Sequence, residues 1–101
     1  MKAELDPIIH PTARLQLCAM LAAGTSVETA VVRTALGLSP SAFSKQVSVL
    51  VDSGYVHQER GKLDSRKTWL SLTKAGARAY RSHIAALTEI VSGHGGPGAP
   101  G

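Results

Sequence analysis

Between Leu38 and Thr73 the chain reads LSPSAFSKQVSVLVDSGYVHQERGKLDSRKTWLSLT, an order of signals that few folds accommodate. Ser39-Pro40 starts a helix: a hydroxyl cap, then proline at the first helical position, where its missing N–H would go unused anyway. At about 100° per residue, Phe43, Val47 and Leu50 fall on one side of that helix, and Ser41, Lys45, Ser48 and Asp52 on the other. The helix runs to about Ser53, and Gly54 stops it. Tyr55–Arg60 and Lys67–Leu72 then predict the two strands of a hairpin, with Val56 in the first and Trp69 and Leu70 in the second. The connection holds Gly61, Lys62, Asp64, Ser65 and Arg66 and is longer than a tight turn needs. Tyr55 and Trp69 are expected in the core at the hairpin base.

The other elements build around this unit. Residues 1–11 predict an extended lead-in, because Pro7 and Pro11 limit helix formation. Thr12 is expected to cap a helix over Thr12–Ala23, with Leu15, Leu17, Cys18, Met20 and Leu21 as its apolar face and Gly24 at its end. A second helix is expected over about 27–35, burying Ala30, Val31, Val32, Ala35 and Leu36 before Gly37 breaks it. A short strand at Thr25-Ser26-Val27 is also open. The last helix, over Lys74–Ser92, carries Ala75, Ala79, Tyr80, Ile84, Leu87, Ile90 and Val91. The tail from Gly93 reads GHGGPGAPG and is expected to stay disordered, having nothing to bury. The predicted class is mainly α with a small β-hairpin: a winged helix-turn-helix spanning 12–92, with a three-helix core, a β-wing and a C-terminal dimerisation helix.

At 101 residues the chain is one domain with a thin core, for which a second copy would supply missing cover. Apolar residues make up 44% of it, enough for a folding domain. Its apolar runs fall far short of the roughly 20 residues that span a bilayer. Glu4 and Asp6 in the N-terminal stretch argue against a signal peptide, so a cytoplasmic protein is expected. The net charge of +4 is unevenly spread. Residues 1–54 carry four basic and four acidic side chains, residues 55–101 seven basic and three acidic, so the excess lies on the hairpin and the helix after it. That asymmetry fits a polyanion partner.

The candidate contacts to double-stranded DNA are Ser39, Ser41, Ser44, Lys45 and Ser48 on the third helix and Arg60, Lys62, Arg66 and Lys67 on the hairpin. Hydroxyls and lysine suit phosphates and base edges alike, whereas Arg, Asn and Gln, which read guanine and adenine bidentately, are missing from the helix's outer face. Specificity is therefore expected to rest partly on DNA shape, with Arg66 entering a narrow A·T-rich minor groove. Cys18 sits among leucines with no basic cluster near in sequence, which predicts a buried, inert thiol. His10, His57, His83 and His94 show no zinc-ligand spacing, so no metal and no cofactor is expected unless the fold gathers them. Paired carboxylates, a nucleophile with its base and a phosphate-binding glycine loop are all missing from the sequence, so an enzyme is not expected.

The chain resembles the MarR-like winged-helix transcriptional regulators, and more closely their short single-domain branch. The matching residues are His10-Pro11 before Arg14, Leu36-Gly37-Leu38-Ser39, Phe43-Ser44-Lys45-Gln46-Val47, Leu50 with Gly54-Tyr55-Val56, and Trp69-Leu70-Ser71-Leu72-Thr73 with Gly76. The resemblance covers about residues 8–88. It implies a homodimer on promoter-like DNA, with the third helix in the major groove and the wing near the minor groove. Larger members add terminal helices that form the dimer and a ligand cleft; here one helix follows the wing, which argues against such a cleft and leaves a small-molecule effector open. The dimer interface is expected to use Tyr80, Ile84, Leu87 and Val91, joined by Ile8 and Ile9. Two alternatives stay open: a winged-helix protein-interaction module, and a regulator controlled by a ligand or by thiol oxidation.

Overall fold

The computed structural model describes residues 3–93; the Gly/Pro tail expected beyond that point lies outside the described residues. The elements run α1 (Thr12–Ala22), β1 (Val27–Glu28), α2 (Thr29–Leu36), α3 (Pro40–Asp52), β2 (Val56–Arg60), β3 (Thr68–Leu72) and α4 (Lys74–Gly93). The strands form one antiparallel sheet in the order β1-β3-β2. Four helices with a small sheet make the winged-helix fold that the sequence predicts.

Boundaries follow local chemistry. The Ser39 hydroxyl accepts the Ala42 N–H at 3.2 Å, and Pro40 opens α3 as expected. Gly37 and Gly54 take the left-handed conformation (φ +67° and +80°) that ends α2 and α3, which a side chain would resist. Thr12 is the first residue of α1 and not its cap: Pro11 precedes it and offers no side-chain acceptor. The short strand falls at Val27–Glu28, where Val27 pairs with Leu70 and Glu28 with Trp69. It therefore takes the first two residues expected of the second helix.

The core gathers Leu17, Cys18 and Leu21 of α1, Val32 of α2, Phe43, Val47 and Leu50 of α3, Val56 of β2 and Leu70 of β3. Side chains alternate along a strand, so burying Leu70 turns Trp69 to the other face. Trp69 is 37% exposed, and the expectation that it fills the core is corrected. Tyr55 is half-buried, packed against the core's edge. The expected extended lead-in instead folds into a turn: the Asp6 carbonyl accepts the N–H groups of Ile9 and His10 at 3.0 and 2.7 Å. That turn drives Ile9 fully into the core.

Candidate nucleic-acid interface

The outer face of α3 is fixed by what its inner face buries. With Phe43, Val47 and Leu50 turned inward, Ser41, Ser44, Lys45 and Ser48 are exposed. Ser39 is exposed too, its hydroxyl engaged in the cap. Ser44 and Ser48 share an open cleft of about 280 Å³ with Thr29 and Arg33 of α2, Pro40, and Gln58 of β2. Phe43 and Val47 line it as well. The serine face thus adjoins the hairpin. Thr29, Arg33 and Gln58 were not among the sequence candidates, because only the packing of α2 and β2 beside α3 reveals them. Gln46 is half-buried and accepts from an Arg14 guanidinium N–H at 2.8 Å, which braces α3 against α1.

The wing runs from Gly61 to Lys67. Its neck closes through Gly61 N–H to the Lys67 carbonyl at 2.7 Å and Lys67 N–H to the Asp64 carbonyl at 3.0 Å. A Cβ at position 61 would stand 2.6 Å from the Asp64 carbonyl oxygen, so this neck requires glycine. Arg60, Lys62, Arg66 and Lys67 are all exposed, and Leu63 between them is fully exposed. Arg66 is not a free arm. Its backbone N–H and its Nε both donate to Asp64 Oδ1, at 3.0 and 3.1 Å, and Nη2 donates to Oδ2 at 3.3 Å. Those hydrogen bonds, together with the charge of Lys67, hold the Asp64 carboxyl below the usual carboxylate range. The Asp64-Ser65-Arg66 spacing of an Asx turn carried this signal in the sequence.

The expected dimer residues divide. Ile9 is wholly buried in its own domain and has no surface for a second copy. Ile8 and Tyr80 pack, partly buried, against the same core. Ile84, Leu87 and Val91 line an open groove of about 340 Å³ with Thr88 and Ser92, and residues 88–92 are exposed. Cys18 is buried, and its thiol is pushed up to about 11 by burial first and by Asp6 second, against Arg14. Among the described residues no group of three or more His, Cys, Asp or Glu side chains could hold a metal ion. Nor is any described helix long and apolar enough to cross a membrane.

Comparison with solved structures places this geometry. A transcriptional regulator homologue from Pyrococcus horikoshii superposes with a TM-score of 0.81 at 20% identity, covering 86% of this chain and 87% of that one. The PcaV transcriptional regulator of Streptomyces coelicolor, solved with its natural ligand, gives 0.77 at 22% identity over 95% of this chain and 67% of that one. A variant of E. coli MarR in complex with operator DNA gives 0.71 at 17% identity over 87% and 63%. No curated protein sequence matches. At these identities the structures share the fold; the family follows from the sequence itself, whose residues 13–91 match the profile of the winged helix DNA-binding domain, and the chain belongs to that family.

Proposed function

We propose that the protein is a homodimeric, sequence-specific transcriptional regulator of the MarR type, acting as a repressor, with α3 in the major groove and the basic wing at the minor groove. One observation carries the reading: the serine-and-lysine face of α3 adjoins the hairpin, whose loop carries Lys62, Arg66 and Lys67 into solvent. Hydroxyls on a helix beside exposed cations suit a ligand that offers base edges flanked by phosphates. The likeness to a MarR structure solved on operator DNA supports the same pose. The groove at Ile84, Leu87 and Val91 suits a second copy, whose recognition helix would then lie about 34 Å away and call for a pseudo-palindromic site. A protein-interaction module would instead favour an apolar outer face on α3.

Salt dependence tests the reading. Cations that displace condensed counterions make log affinity fall linearly with log salt; if a dimer neutralises about 6 phosphates, the slope is near −5. Duplex binding by fluorescence anisotropy at low and moderate salt measures it. A flat dependence refutes nucleic-acid binding.

A further inference from the structure

We propose that the Asp6–His10 turn is a pH-sensitive strap, locked onto α4 by neutral His83 and released when that imidazole takes up a proton. His83 is fully buried. Its Nδ1 accepts the Asp6 backbone N–H at 2.9 Å, so that nitrogen is unprotonated and the ring's proton sits on Nε2. Nε2 is itself buried and has no hydrogen-bond partner among the described residues. The ring therefore holds the strap in one protonation state only. A proton on Nδ1 would set two N–H groups against each other and leave a charged ring with no acceptor at either nitrogen.

The surroundings oppose that charge. The His10 ring stands edge-on to His83 with centroids 5.5 Å apart. Among the described residues Asp6 is the group that favours imidazolium, yet both its oxygens are engaged elsewhere: Oδ1 accepts Ile8 N–H at 2.8 Å and Oδ2 accepts the Tyr55 hydroxyl at 2.6 Å. Cys18 of α1 completes the cluster, its thiol feeling both the Asp6 carboxylate and the Arg14 guanidinium, and Arg81, on α4 itself, is exposed. Burial first, then His10, hold His83 below its ordinary 6.5, against the pull of Asp6. The sign follows from linkage. Docking is fully stable above 6.5, where the released ring is also neutral, and weakens as pH falls below it.

Release would reach both working ends of the domain. Leaving α4 withdraws Ile9 from the core and frees the hydroxyl of Tyr55, the residue before β2. It also removes the Ile8 carbonyl that accepts from Arg14, the same guanidinium that holds Gln46 on α3. The proposal stands apart from the DNA-binding reading, because every contact it uses lies within the chain.

Amide hydrogen exchange by NMR on the full chain, corrected for intrinsic rates, tests it. Protection of the Asp6, Ile9 and His10 amides is expected to fall about tenfold per pH unit below 6.5, while that of Leu50 holds. Imidazole nitrogen shifts should report the Nε2–H form of His83 over the same range. His83→Gln keeps an acceptor for Asp6 N–H but cannot titrate, and should keep the strap protected to about pH 5. His10→Gln, which removes a group that opposes a proton on His83, should lessen the loss of protection below 6.5 and leave its onset there. Loss of protection with an unchanged profile in His83→Gln overturns the proposal. So does a parent protein in which His83 becomes charged while the strap amides stay protected, a result that needs no variant to fold.

Discussion

Gly76→Ala tests how the turn between α3 and the hairpin is seated on α4. An alanine Cβ there would lie 2.0 Å from the Tyr55 carbonyl oxygen, where ordinary contact begins at 3.4 Å, so the turn and the helix start must part by about 1.4 Å. Two hydrogen bonds span that seam: Thr73 N–H to the Tyr55 carbonyl at 3.0 Å, and the Thr73 hydroxyl to the Gly54 carbonyl at 2.6 Å. Losing both costs about 2 kcal/mol. Backbone overpacking adds about 1–3 kcal/mol, and alanine's better helix propensity returns about 1. The net is about 2–4 kcal/mol, a large part of the roughly 5–15 that hold a small domain folded. Urea unfolding followed by Trp69 fluorescence and circular dichroism measures it, with Tm lower by about 10 °C or more. Gly24→Ala is the control. Its Cβ would meet none of the described residues within 4 Å, so it should match the parent or exceed it by up to about 1 kcal/mol. A Gly76→Ala protein as stable as the Gly24→Ala one refutes the seam.

Leu87→Lys sets a charge in the apolar groove of α4; in sedimentation equilibrium the parent should weigh as two copies and the variant as one, whereas a monomeric parent at micromolar concentration removes the dimer. Arg66→Ala should weaken duplex binding, most at sites flanked by A·T-rich DNA, and flatten the salt slope of a dimer by about 2, while leaving an unpaired Asp64 carboxylate near the phosphates. Ser41→Ala or Ser48→Ala should instead shift base preference in a selection from randomised duplexes at an unchanged slope; if neither does, α3 does not read bases. With its pKa near 11, Cys18 should react with a thiol reagent at neutral pH no faster than the domain unfolds, and rapid native-state labelling would revive control by thiol oxidation.

Where local chemistry decides, the sequence was legible. Ser39-Pro40 starts α3 and Gly37 and Gly54 end helices because cap and left-handed turn are properties of two or three neighbouring residues. The polar face of α3 was legible because a 3.6-residue period with Phe43, Val47 and Leu50 inside leaves the serines outside. Trp69 was misjudged because an aromatic residue at the hairpin base was expected in the core, while the strand's alternation, anchored by Leu70, decided against it. Ile9 was assigned to the dimer interface instead of its own core, and Asp6 was missed, for another reason. Nothing within a few residues of Asp6 announces His83 or Tyr55, 77 and 49 positions away, and a turn made for distant partners reads from sequence as mere extended chain.

One helix connects these features. Its first turn meets the Gly54–Tyr55 turn through Thr73 and Gly76, its middle receives the strap at His83, and its far end carries the open groove of Ile84, Leu87 and Val91. Twenty helical residues span about 30 Å and bend little, so a shift at one end is carried to the other. If a second copy covers the groove, the separation of two wings is set at the Thr73–Gly76 seat as much as at the interface. The close approach of Gly76 to the Tyr55 carbonyl then lies at neither the outer face of α3 nor the groove, but at the joint that aims one relative to the other.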